Sequence, residues 1–206
     1  TTAWDSSTAE FETIHAVSRD THTKHLRTLA FKPDGSRMFT GGKGDSGTSQ
    51  IKEFILANPW DLTSGVSSAV VSADLGGAEP NLRNAQFDPN GSILYIGGND
   101  NDNIHKYTLS TPWDVTTISS TSTEYDSGSR FSNMRGFIFA ASFTKLFVTD
   151  DNGSTNTIFE YSAACAVTVT CSDPSNDNDV KAIVEANVEL SKRIIQNINL
   201  PIFQYA

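Results

Sequence analysis

Three arginines, Arg27, Arg83 and Arg135, stand 56 and 52 residues apart, each inside a stretch of the same type. A guanidinium presents five N–H donors in a fixed fork, so three of them aimed at one space would hold a carboxylate, sulfate or phosphate group. A structural duty competes, in which each Arg bridges neighbouring repeats through a carboxylate of a Trp-Asp corner. Those corners recur as Trp4-Asp5, Trp60-Asp61 and Trp113-Asp114. Trp in such a place packs at a junction while Asp accepts backbone N–H groups in the turn. Trp60 and Trp113 also offer flat faces on which a sugar ring could stack.

Oxygen-rich loops form a second group. Asn99 to Asn103 and Asp150 to Gly153 place Asp100, Asp102, Asp150 and Asp151 where calcium, the one cofactor these loops bring to mind, could be held. Neither loop follows the twelve-residue calcium pattern with its terminal Glu, so ordinary polar turns are the competing reading. Asp173 to Asp179 reads as the cap of a helix. His22 and His25 form a close pair without a third ligand, which argues against zinc. There is no Gly-x-Ser-x-Gly elbow, phosphate loop or dinucleotide fingerprint, and no nucleophile with a partner base, so no catalytic residue is assigned and the expectation is a protein that is not an enzyme. Cys165 and Cys171 are the two cysteines, and an even count on a chain of this kind points to a disulfide. One straight strand between them would set the sulfurs roughly 20 Å apart, so the bridge requires the segment to turn. Asn90-Gly-Ser92 and Asn152-Gly-Ser154 match the glycosylation pattern but are ordinary turn sequences, and no role is assigned to them.

The elements that carry these residues repeat. Leu26 to Phe39, Leu82 to Tyr95 and Met134 to Phe147 are versions of one sentence, in which an alternating run reaches a corner and a second run leaves it. Pro33-Asp34-Gly35 and Pro89-Asn90-Gly91 supply the preset φ and the residue tolerant of positive φ that a β-hairpin needs. In the third repeat Ala140-Ala141-Ser142-Phe143 takes that place, a degenerate version of the kind found in terminal repeats. Third strands are expected at 50–56, 103–109 and 156–161. A fourth follows each Trp-Asp corner, as at 66–73. Four strands per ~50 residues is the spacing of a propeller blade, so the expected fold is all-β, three propeller-like blades plus an N-terminal closing strand over residues 1–171. Phe11 to Val17 would supply that closing strand, and because the chain opens on a corner-like Thr-Ala-Trp-Asp, its start is expected to fall inside a repeat. From Val180 the apolar residues recur at helical spacing, which predicts an amphipathic α-helix in a tail over residues 172–206.

The net charge of −9 is spread over turns, which disfavours nucleic acid and anionic membrane surfaces as partners. No apolar run is long enough for a membrane helix.

The Phe-x-Pro-Asp-Gly hairpin, the Tyr/Phe-rich strand and Ser-Thr-Pro-Trp-Asp resemble the repeat of β-propeller surface proteins of bacteria and of some phage tail proteins, over roughly residues 1–165. The tail from Cys171 through Glu185 to Pro201 is similar to a segment that precedes the membrane barrel in autotransporter-like outer-membrane proteins of marine alphaproteobacteria. That resemblance implies a secreted passenger displayed on the cell surface. A ring needs about four to eight blades and this sequence supplies three. The partners expected are therefore a second copy in a homo-oligomer or the remainder of a longer repeat chain, with a glycan or a surface protein as ligand. The function that follows is extracellular binding or adhesion without catalysis. The alternatives are a structural protein polymerising through its edge strand and helix, and, behind it, a propeller hydrolase or lyase with carboxylates in its channel.

Overall fold

Each Phe-x-Pro-x-Gly segment makes the turn that its residues demand. In the computed structural model, which describes residues 9–17, 24–125, 130–140 and 143–162, strand β1 (His25–Phe31) turns back into β2 (Arg37–Lys43). In the second repeat β6 (Leu82–Phe87) turns into β7 (Ile93–Gly98) the same way. Gly35 N–H donates to Lys32 C=O at 2.8 Å and Gly91 N–H to Asp88 C=O at 3.0 Å, with φ of 73° and 72° at the two glycines. Pro occupies the first central position and Gly the left-handed one, where any side chain would be strained.

Strand β3 (Ser49–Asn58) follows β2, and β4 (Asp61–Val66) and β5 (Val70–Val71) both pair with it, so the fourth strand expected at 66–73 is two short pieces. The second sheet is completed by β8 (Ile104–Thr108) and β9 (Thr123–Tyr125). The third has β10 (Met134–Ala140), β11 (Lys145–Asp151) and β12 (Asn156–Ser162). All pairings are antiparallel, and all but that of β5 with β3 join strands consecutive in the chain. The described residues are thus all-β, without an α-helix among them. Residues 9–17 carry no strand, so the closing strand expected at Phe11 to Val17 is replaced, in its described part, by irregular chain laid on the first sheet. Trp4, Asp5, His22, Cys165, Cys171 and the helix expected from Val180 lie outside the described residues.

A second turn closes each repeat. Asn58-Pro59-Trp60-Asp61 and Thr111-Pro112-Trp113-Asp114 place Trp at φ of 64° and 63°, a region that bulky residues avoid. Trp60 N–H donates to Gly35 C=O at 3.0 Å, Trp113 N–H to Gly91 C=O at 2.9 Å, and each indole lies over that same glycine. The rings also stack on the Phe ending the inner strand, Trp60 on Phe31 at 5.3 Å and Trp113 on Phe87 at 5.2 Å. The third repeat solves the problem from within its own hairpin. Phe143 takes the left-handed position at φ of 65° and stacks on Phe139 at 5.1 Å, so its ring replaces the missing indole.

The sheets pack in sequence order, β1 against β6 and β6 against β10. Each sheet has a trailing face toward the next repeat and a leading face toward the one before. Phe39 and Ile51 on the first trailing face bury against Ala85, Phe87, Leu94 and Tyr107 on the second leading face. Ile104 and Tyr95 on the second trailing face meet Phe137, Leu146, Val148 and Tyr161. A repeated polar link crosses both junctions. The Thr28 hydroxyl exchanges hydrogen bonds with the Ala85 backbone. Asn84 Nδ2 donates to Phe137 C=O, while the Gln86 amide donates to and accepts from the Phe139 backbone.

A Cβ at Gly91 would stand 2.2 Å from the Trp113 ring. Gly91→Ala is therefore expected to cost about 2–4 kcal/mol, combining overpacking with a left-handed Ala. In a Trp113→Ala background the loss should shrink to ~1 kcal/mol, the backbone contribution alone. Equal losses in the two backgrounds by urea unfolding would show that the indole does not sit on the glycine.

Candidate functional site

Arg27, Arg83 and Arg135 each occupy the irregular position of an inner strand. The register slips between Leu26 and Thr28, between Leu82 and Asn84, and between Met134 and Gly136. In every repeat the arginine is the extra residue of a β-bulge, a device that re-aims a side chain away from the regular alternation. The residues opposite explain the tolerance. Gly42 and Gly98 lie so near the bulge that a Cβ would meet His25 C=O at 1.8 Å and Asn81 C=O at 2.2 Å.

Because the inner strands lie side by side, the three guanidinium groups gather at one end of them. Burial pushes the Arg83 pKa below its ordinary value, and the like charges of Arg27 and then Arg135 push the same way, against the opposing pull of Asp100 and Glu79. Arg83 Nε donates to Asn99 Oδ1 at 3.0 Å, and Asn99 Nδ2 to Asn133 Oδ1 at 3.0 Å, which links two repeats beneath the cluster. Arg135 pairs with Asp151 at 2.8 Å, and this pairing, with the Gly153 N–H, holds the Asp151 carboxyl below the usual carboxylate range. Arg27 Nε is buried without a hydrogen-bond partner.

The carboxylates foreseen as bridges do other work. Asp61 and Asp114 stay in their corners, accepting from Thr63 N at 2.7 Å and Thr116 N at 3.0 Å. The bridge between the first two repeats comes from Arg37 and Glu53. They pair with each other, while Arg37 Nη1 donates to Trp113 C=O at 3.1 Å and Glu53 Oε2 accepts Val115 N–H at 3.0 Å. The signal in the sequence was a Glu on the strand face shared with Ile51, where a charge needs a partner.

The four acidic residues considered for calcium point to protein donors. Asp100 accepts from Asn81 Nδ2 at 2.9 Å and Asp102 from Met134 N at 2.8 Å. Asp150 accepts from Asn133 N at 2.8 Å and Ser132 N at 3.1 Å. Among the described residues no group of three or more His, Cys, Asp or Glu is arranged to hold a metal. Buried Glu79, its pKa raised by desolvation, accepts from the N–H groups of Asn81, Asp100 and Asn101 and so anchors the loop beside Arg83. The two tryptophans part company. Trp113 lines a cavity of about 380 Å³ at the turn end of the inner strands, with Phe31, Phe87, Phe137 and Phe143, whereas Trp60 is 60% exposed.

A polar cavity of about 460 Å³ lies on the second repeat, lined by Asp74, Asn101, His105, Tyr107, Ser122 and Glu124 among others. His105 is buried, its Nδ1 3.4 Å from Ser122 Oγ and its Nε2 without a hydrogen-bond partner.

No protein-family model and no curated protein matches the chain.

Burial lowers the His105 pKa, with Glu124 opposing. A buried neutral His takes up its proton more readily when the chain unfolds. Stability is therefore complete above the ordinary value of about 6.5 and declines as pH falls through it. The thermal midpoint should drop between about pH 7.5 and about pH 5.5, and His105→Gln should reduce the drop. An unchanged profile in the variant would exclude His105 as its source.

Proposed function

We propose that this chain is a binding module built of propeller-like blades, without catalytic activity, that holds an anionic ligand over Arg27, Arg83 and Arg135. One observation carries the reading, namely that three sequence-distant arginines, each on a bulge, converge closely enough for Arg83 to be influenced by the other two. Like charges set side by side repel, and Arg83 feels both of its arginine neighbours. A carboxylate- or sulfate-bearing ligand relieves the repulsion and offers acceptors to the forked donors, Arg27 Nε included. An acidic glycan at a cell surface fits the chemistry and the resemblance of the repeat, with Trp113 and the aromatic cavity at the other end of the strands as a separate apolar surface. A hydrolase or lyase would need paired carboxylates at the inner strands, where this chain repeats arginine. A structural assembly role is the second reading, favoured by the exposed apolar side chains at the two ends of the row of sheets, Leu29 and Trp60 at one and Ile138 and Ile158 at the other.

Titration calorimetry with a sulfated oligosaccharide and with a polyuronate at low and at physiological salt tests the reading. Binding should weaken with salt and fall about 10–100-fold in Arg83→Gln, the loss of one or two charge-assisted hydrogen bonds. An Arg27→Gln/Arg83→Gln/Arg135→Gln variant that binds as well as the parent would overturn it.

A further inference from the structure

Among the described residues one kind of junction, trailing face on leading face, is made twice, and at each end of the row apolar side chains that such a junction covers stay exposed. Ile51 and Ile104 hold the same place on the trailing faces of the first two repeats, each opposite the residue after the bulge on the middle strand, and are 1% and 2% exposed. Ile158 holds that place in the third repeat and is 73% exposed. Ile138 beside it is exposed as well. At the other end Leu29 is 62% exposed, where its counterparts Ala85 and Phe137 are buried under the preceding repeat. Trp60 likewise lacks the ring that Trp113 receives from Phe39 of the repeat before it, 6.0 Å away.

We infer that the trailing face of the third repeat docks on the leading face of the first repeat in a second copy of this chain, head to tail. The occupant is identified by continuity, since the part of the leading face left exposed beside residues 9–17, at Leu29, holds the place that a trailing face already covers twice in this molecule. His15 and Val17 lie on Phe54 and its neighbours, while Phe131 and Tyr125 lie against Tyr161, the counterpart of Phe54. The approach of residues 9–17 therefore imitates the segment that elsewhere precedes the next sheet. Three repeats are too few to close on themselves, and two copies joined by two identical junctions bring six into a ring, within the four to eight that such rings contain. The junction between copies differs from the internal ones in chemistry. Gly136 and Ile138 replace the Asn84 and Gln86 whose side chains bond across the second junction, so those inner-strand links give way to apolar contact, while the Lys145–Glu160 pair stands where Arg37 and Glu53 clamp the first junction.

Light scattering over a concentration series should give a limiting mass twice the 22.3 kDa of the chain. Ile158→Arg and Leu29→Arg, both at exposed sites and checked for folding by circular dichroism, should each weaken dimerisation at least 100-fold. Mixed together they should associate more tightly than either variant alone but more weakly than the parent, because one junction is intact and the other carries both arginines. A monomeric parent, variants that remain dimeric, or a mixture that associates no more tightly than either variant alone would overturn the docking, and mass growing without limit would overturn the two-chain ring. The inference stands apart from anion binding. Arg83→Gln should leave the mass unchanged, and Ile158→Arg leaves every arginine of its own chain in place.

Discussion

An aromatic ring laid on the phenylalanine at or next to the end of each inner strand is the contact on which the described architecture turns. Phe31, Phe87 and Phe139 receive Trp60, Trp113 and Phe143 at nearly equal distances. In the first two repeats the ring comes from a corner 29 and 26 residues later in the chain, and room for it exists because the hairpin carries Gly35 or Gly91. One contact therefore fixes the first hairpin, the second corner and the distance between them. All three ring donors stand at positive φ. Such strain of order 1–3 kcal/mol persists only where the surroundings determine it, here through the Trp N–H bond to the glycine carbonyl and the stacking itself.

Once that contact orients the sheets, the inner strands come side by side and the bulges fall at one end of them. A bulge adds one residue without a ladder partner, so the same distortion in three strands presents the same side chain three times. The resulting arginine cluster is a product of repetition plus packing. No single repeat contains it, and composition alone points the other way, because the chain is acidic overall.

Repetition also fixes how the sheets adhere. Each has two different apolar faces, so contact between repeats is directional, and a directional contact has no natural end until a ring closes or a cap intervenes. The Thr28 and Asn84 links to the next strand show that the junctions are specified by hydrogen bonds as well as by area. Arg37 and Glu53 add a charge-assisted clamp on the Trp113 corner, and Lys145 and Glu160, at the same places in the third repeat, pair at 2.6 Å.

The sequence alone determined the hairpins, the strand order and the repeat, because Pro-Asp-Gly, Pro-Asn-Gly and the alternation of apolar residues are local signals whose physics acts within a few positions. It placed Arg27, Arg83 and Arg135 in equivalent positions and assigned Asp61 and Asp114 to their turns for the right reason. It foresaw a continuous fourth strand at 66–73 where two short pieces pair with β3, and a closing strand at Phe11 to Val17 where the described residues run irregularly. Only the tertiary structure decided that the three arginines are bulge residues and neighbours, that Glu53 rather than a corner aspartate joins the first two repeats, and that Phe143 stands in for a tryptophan. Each of these depends on contacts between residues far apart in the chain, whose distance is set by sheet packing and has no periodic trace in the sequence.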